Sequence, residues 1–191
     1  MKSILIILLA CFAPLAVADN AYAVEAAIYK ITVSDSYKSQ NGTGVLVSPN
    51  KILTNCHILD GINGWPKVQH RKTGDWFNVT KYYRLGDLDA CVLVGSFVGR
   101  PVPFSQQITP GENVWIFGYP QGLPVVGQGT VKDFADNGKT LRLVAFCSGG
   151  SSGGPVVNAR GELLGINFAT YQYQDHCLSI PVSSLRPYFK S

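Results

Sequence analysis

The sequence predicts an all-β protein, and three observations carry that prediction. Charged residues make up 15% of the 191-residue chain, well under the roughly 25% of an ordinary globular domain. Glycine (20) and proline (11) are plentiful, as expected where tight turns join many short strands. Apolar runs are short and evenly spaced, and no amphipathic helix interrupts them before the C-terminus. Periodicity alone leaves sandwich and barrel equally open.

Taken in order, Ala26–Val33 reads as a first strand, followed by a polar loop from Ser34 to Gln40. Gly42–Pro49 is a strand entered through glycines and ended by a Pro-Asn turn, and Lys51–Thr54 is a short strand that delivers Asn55-Cys56-His57. Trp65–Val79 covers two strands with Gly74 in the turn, and Ala90–Val94 is an unbroken apolar strand behind Asp87-Leu88-Asp89. Proline thickens from Arg100 to Pro110, so residues 104–110 form a candidate linker between a first half, residues 24–103, and a second, residues 111–191. The second half supplies strands at Asn113–Pro120, Gly127–Lys132, Thr140–Val144, Pro155–Val157, Leu163–Ile166 and Leu178–Pro181. A short terminal helix over Leu185–Phe189, capped by Ser183 or Ser184, ends the chain.

Residues 1–23 read as a secretory signal peptide. Lys2 precedes an apolar run from Ile4 to Phe12, and Ala16-Val17-Ala18 and Ala21-Tyr22-Ala23 both fit small-x-small cleavage, after Ala18 or Ala23. The run is shorter than the ~20 apolar residues a spanning helix needs. Secretion or a periplasmic location is therefore expected. Removing the leader removes Cys11 and leaves Cys56, Cys91, Cys147 and Cys177. An even number in an exported chain implies two disulfides, with three connectivities open. No C-x-x-C pair argues for zinc, and neither metal nor cofactor is expected. A formal net charge of +4 is too small to argue for nucleic acid, or for a membrane once the leader is gone.

The chemistry concentrates at Gly150-Ser151-Ser152-Gly153-Gly154-Pro155. Glycines let backbone N–H groups converge beside a side-chain hydroxyl, which suits a serine nucleophile beside a site for an oxyanion. The pattern selects Ser152 over Ser148 and Ser151, with the N–H groups of Gly150 and Ser152 as oxyanion donors. His57, at a strand end, is the matching general base. His70 and His176 are left as surface or pocket-wall residues. The orienting carboxylate is Asp89 rather than Asp87, because Asp89 abuts a strand that can bury it beside a partner.

These residues resemble a chymotrypsin-fold serine protease, and within that fold the high-temperature-requirement (Deg-like) group. Gly42–Val47, Ile52–His57, Asp89–Leu93, Gly118–Leu123, Gly150–Pro155, Gly161–Asn167 and Leu178–Pro181 match seven family blocks in the family's order. The resemblance implies two six-stranded antiparallel barrels with the triad in the cleft between them. Family members usually continue into PDZ domains. This sequence ends at Ser191, so the peptidase unit alone is expected, and a monomer rather than the family's trimer.

A polypeptide is the implied substrate, and serine endopeptidase the implied activity; the alternative is a catalytically weak protease-fold binding protein. The resemblance further implies a Cys147–Cys177 disulfide, leaving Cys56–Cys91 beside the catalytic pair. It places Phe146, Cys147, Asn167, Phe168, Ala169 and Ser179 in the pocket for the residue before the cut. None is acidic, so a small or medium apolar residue is expected there, with His176 near Ser179 as an alternative favouring an acidic one. Ser151 stands where digestive relatives carry the aspartate that receives a new N-terminus, so no activating cut beyond leader removal is expected.

Overall fold

The computed structural model describes residues 17–171 and 176–189; the apolar run of the predicted leader lies outside them. Two antiparallel sheets hold thirteen strands. The first is seven-stranded, in the order β5-β4-β1-β2-β3-β7-β6, from β1 (Ile28–Ser34), β2 (Ser39–Ser48), β3 (Lys51–Thr54), β4 (Lys67–His70), β5 (Trp76–Asn78), β6 (Lys81–Arg84) and β7 (Cys91–Val94). The second is a closed barrel, β10-β13-β12-β11-β8-β9, from β8 (Asn113–Gly118), β9 (Val125–Ala135), β10 (Thr140–Ala145), β11 (Pro155–Asn158), β12 (Leu163–Tyr171) and β13 (His176–Pro181). The expected six closed strands are thus present in the second half, while the first half is an open curved sheet with one strand more. That extra strand is β6, all four of whose residues are exposed. With no buried side to alternate against, it leaves no period-two signal.

Between the two sheets, Phe104 bridges to Leu163 and the Ser105 N–H donates to the Leu163 carbonyl at 2.9 Å. The main core fills the first sheet with Ile28, Ile31, Leu53 and Leu93 and runs on to Phe117, Val157 and Ile166 of the barrel. A smaller core, with Leu141, Leu143 and Val156, fills the rest of the barrel. Burial of such side chains contributes about 1.5–3 kcal/mol each.

Helical structure departs from expectation at both ends. A helix α1 (Val17–Ala23) and a 3-10 turn (Val24–Ala27) lead into β1, overlapping the segment read as the end of a leader. Ala21 is fully buried there, and Tyr22 meets Phe117 edge-on with ring centroids 6.1 Å apart. At the C-terminus α2 spans Val182–Leu185 and a 3-10 turn covers Arg186–Phe189. Ser183 and Ser184 lie inside α2 and do not cap it. Val182 and Leu185, three apart and buried, fix where that turn starts.

Arg71 ties the N-terminal segment to the barrel. Its side chain, 8% exposed, pairs with Glu25 at 3.2 Å and lies over the rings of Phe117 and Tyr119. Such a cation gains from the ring faces as well as from the carboxylate.

Candidate active site

His57 stands in the turn that follows β3, and its seat is built by local chain geometry. The N–H groups of Leu59 and Asp60 both donate to the Cys56 carbonyl, at 2.8 and 3.2 Å, turning the chain sharply at His57. Pairing of β3 with β7 sets Thr54 opposite Cys91, and the Cys56–Cys91 disulfide crosses beside it. That brings Asp89, just before β7, under the imidazole. His57 Nδ1 lies 2.6 Å from Asp89 Oδ2, and the His57 backbone N–H donates to Asp89 Oδ1 at 2.9 Å. A carboxylate can only accept, so Nδ1 carries a proton, and in the neutral ring Nε2 is then the acceptor. Asn55 donates to the Asp89 carbonyl at 2.7 Å, and Gln40 donates to the His57 carbonyl at 3.1 Å.

Burial pushes the Asp89 carboxyl up, but hydrogen bonds from the His57 ring, the His57 N–H and the Cys56 N–H outweigh it and hold the group below the ordinary aspartate value. It is Asp89 that meets the imidazole; Asp87 is exposed in the preceding turn.

The serine loop is held against this seat by bonds to both sheets. The Ser152 carbonyl accepts from the Thr43 N–H at 2.8 Å, and the Gly153 N–H donates to the Asn167 carbonyl at 2.7 Å. Gly153 has φ +77°, and a Cβ there would stand 2.1 Å from the Thr43 carbonyl and 3.1 Å from the Asn55 nitrogen. The residue after Ser152 is therefore packed within two positions of His57. Ser151 is buried, its hydroxyl accepting from the Ser148 N–H at 3.4 Å. Ser152 is half-buried, and its hydroxyl has no hydrogen-bond partner among the described residues.

Gly150, at φ +97°, lets the loop press onto Tyr119, where a Cβ would lie 2.3 Å from the carbonyl oxygen. Within the described residues, the N–H groups of Gly150 and Ser152 donate to no protein acceptor. Two unsatisfied donors flanking a hydroxyl are what a developing oxyanion needs.

Both expected disulfides form, Cys56–Cys91 and Cys147–Cys177. Of the residues assigned to the specificity pocket, Asn167 and Ser179 are buried and face each other in the β12–β13 register. Phe168 and Ala169 are half-buried beyond them on β12, and Phe146 is 66% exposed. His176 does not sit beside Ser179. Alternation along β13 turns His176 and Leu178 to one side and Cys177 and Ser179 to the other, and His176 Nε2 lies 3.1 Å from Lys132 Nζ.

His70, by contrast, is buried rather than at the surface. Its pairing opposite Tyr29 buries the ring, with Nε2 at 3.0 Å from the Ala26 carbonyl and Nδ1 accepting from the Thr73 N–H at 3.2 Å. Sequence reasoning also passed over Arg71, whose partner Glu25 is 46 positions away and announces itself by no motif. Among the described residues, no group of three or more His, Cys, Asp or Glu side chains could hold a metal ion.

Comparison with known proteins agrees with this architecture. Residues 42–166, more than half of the chain, match the family model described as a trypsin-like peptidase domain. A glutamyl endopeptidase of Staphylococcus epidermidis is 28% identical over 164 residues, covering 72% of this chain and 56% of that protein. One from Staphylococcus aureus is 27% identical over 150 residues, covering 66% and 44%. The chain thus spans about half the length of these curated relatives.

Among solved structures, the serine endoprotease from Yersinia pestis superposes with a TM-score of 0.80 at 24% identity, over 92% of this chain and 65% of that one. The active form of the Rv3671c protease from M. tuberculosis gives 0.78 at 22% identity, over 91% and 84%. At such identities the likeness shows the fold.

Proposed function

The chain belongs to the trypsin-like peptidase domain family, and from that premise we propose that it is an exported serine endopeptidase using Ser152, His57 and Asp89. The observation that carries this reading is the pair of hydrogen bonds between His57 and Asp89, through ring and backbone, beside the loop that carries Ser152. Asp89 fixes the tautomer that leaves Nε2 able to take a proton.

In the proposed reaction, Ser152 Oγ bonds to the scissile carbonyl carbon while its proton passes to His57 Nε2. The carbonyl oxygen, now negative, accepts from the Gly150 and Ser152 N–H groups. Collapse of this intermediate breaks the C–N bond, and the leaving amine takes the proton from His57. Water then repeats the sequence on the acyl-enzyme, releasing the acid and restoring Ser152.

Residues 24–103 and 111–191 act in this reading as two halves of one peptidase unit, with 104–110 between them. Export suits the two disulfides, since such bonds persist in oxidising compartments. Among the described residues, no helix is long and apolar enough to cross a membrane. The substrate is a polypeptide, and the uncharged pocket lining suits a small or medium apolar residue before the cut. The relatives' name, glutamyl endopeptidase, raises an acidic residue as a rival. His176, the residue on which that rival would rest, lies on the other side of β13 from Ser179.

The unpartnered Ser152 hydroxyl keeps a second reading in view, a protease-fold binding protein with little turnover. One experiment decides between them. Wild-type protein should react with a fluorophosphonate probe and cleave unfolded casein, and Ser152→Ala should do neither. Wild-type protein inert to both reagents sinks the peptidase reading.

A further inference from the structure

Thr43 lies between Gly42 and Gly44 on β2, and nothing in the proposed reaction uses it. The residue is fully buried, yet it is saturated with polar bonds to the far side of the groove. Its hydroxyl donates to the Gly150 carbonyl at 2.8 Å and accepts from the Tyr119 N–H at 3.2 Å. The Tyr119 N–H also reaches the Gly150 carbonyl at 3.2 Å, so hydroxyl, amide and carbonyl close a triangle beneath the loop. The Thr43 N–H holds the Ser152 carbonyl at 2.8 Å, and the Thr43 carbonyl accepts from the Thr54 hydroxyl at 2.6 Å. Two of these bonds therefore end on the carbonyls of Gly150 and Ser152, the residues whose N–H groups would receive the oxyanion.

A trans peptide is planar, so holding its carbonyl also sets the N–H on its opposite edge. The Gly150–Ser151 peptide is held at the carbonyl by Thr43 and Tyr119, and at the N–H by the Ser148 carbonyl at 2.9 Å. The Ser151–Ser152 peptide is held through the Ser151 carbonyl, which accepts from the Gly154 N–H at 2.9 Å, and this aims the Ser152 N–H the other way. The Gly149–Gly150 peptide, which carries the other donor, has no such tether among the described residues. Gly150 links it to the plane that follows, which the Thr43 hydroxyl holds together with the Tyr119 N–H and the Ser148 carbonyl.

We propose that Thr43 is a positioning residue for the oxyanion site. Its hydroxyl holds the Gly150 carbonyl so that the Gly150 and Ser152 N–H groups stay convergent as negative charge develops between them. The proposal rests on the reading of Ser152 as nucleophile. The hydroxyl comes from the first sheet and the loop from the barrel, so this bond also transmits the relative placement of the two halves to the site.

A purely packing role predicts something different. Valine has nearly the shape of threonine and would fill the same space, but it leaves the Gly150 carbonyl with only the Tyr119 N–H. A positioning role places the resulting loss on the transition state rather than on substrate binding.

The test compares wild type, Thr43→Val, Thr43→Ser and Ser152→Ala in the full chain, well below each melting temperature. The readouts are the rate of fluorophosphonate labelling and kcat and KM for casein. Thr43→Val is expected to slow labelling and kcat by about 10- to 100-fold, less than the 10²–10³ of deleting an oxyanion donor outright. KM should move by less than about threefold, and Thr43→Ser should come back to within about threefold of wild type.

Should the valine variant not fold, Thr43→Ala removes the same hydroxyl without steric demand and carries the same expectation. A hydroxyl-free variant that keeps the wild-type rate overturns the proposal. So does a loss confined to KM, or a serine variant as slow as valine. Wild type that never labels, or Ser152→Ala that still does, instead removes the nucleophile reading, and the role given to Thr43 falls with it.

Discussion

His57 is seated by residues of its own sheet, whereas the Ser152 loop is held in part by a residue of the other sheet. On the base side, ring and backbone of His57 both bond to Asp89, Asn55 fixes the Asp89 carbonyl, and the Cys56–Cys91 bond runs alongside the β3–β7 ladder. On the nucleophile side, the loop leans on Thr43 and Tyr119 and on the carbonyl of Asn167. The base side would keep its geometry if the two sheets shifted slightly. The nucleophile side would feel such a shift through Thr43, which lies on the first sheet, although Tyr119 and Asn167 belong to its own barrel. This difference places the more readily disturbed half of the chemistry in the loop.

The sharpest way to break the comparison is to attack the base side without altering its shape. Asp89→Asn keeps the volume but can offer Nδ2–H where an acceptor is needed, and it favours the wrong imidazole tautomer. About 10⁴ in kcat should be lost, with folding intact. The exposed Asp87→Asn should stay within about twofold of wild type, as surface changes generally do. Comparable losses in the two variants would show that Asp89 does not orient the imidazole.

The two disulfides sharpen the comparison at smaller amplitude. Their sequence separations are similar, 35 and 30 residues, so in the chain-entropy account each contributes about 3 kcal/mol of stability. Their effects on activity should differ. Cys56–Cys91 duplicates a tie the strand ladder already makes, since Thr54 pairs with Cys91. Cys177 pairs with Leu143 in the β10–β13 ladder, and Cys147 lies four positions further on, past the end of β10, so this bond holds the entry to the serine loop beyond the ladder. Assayed well below melting, Cys147→Ala/Cys177→Ala should lose about tenfold in fluorophosphonate labelling, on the scale of a displaced oxyanion donor. Cys56→Ala/Cys91→Ala should lose less than about threefold. Equal losses would erase the distinction between the two sides.

What the sequence revealed follows the same division. Ser152 and His57 stand in short local patterns, and Asp89 was separated from Asp87 by adjacency to an apolar strand, a burial argument that needs only neighbours in the chain. Most strands were legible because they alternate or run apolar against a core. β6 was not, having no buried residue. Nor was α1, whose alanine-rich stretch reads equally well as the end of a leader. The ties between the halves were illegible for a different reason. Thr43 and Gly150 are 107 positions apart, and Arg71 and Gly118 are 47, so only the folded register joins them. His70 was misplaced because a histidine's environment depends on which side of a strand it takes, and polar neighbours do not disclose that; the same alternation parts His176 from Ser179.

The smallest effect concerns pH and again singles out the base side. The folded-state value of Asp89 lies below its ordinary one, because the bonds from His57 and Cys56 outweigh burial. A carboxyl so depressed binds fewer protons folded than unfolded, so it adds stability that is fully present above the unfolded value of about 4. That contribution fades as pH falls through the depressed folded value. The stability gap between wild type and Asp89→Asn, measured by denaturant unfolding, should therefore narrow steadily as pH falls from about 5 toward 2. The side chain is one-third exposed, so solvent screening keeps the gap modest. Ser152→Ala, which removes no titrating group, should show no such narrowing against wild type. A gap for Asp89→Asn that widens toward acid would mean that Asp89 is held protonated in the fold, and the seat of His57 would then have to be rebuilt around a neutral carboxyl.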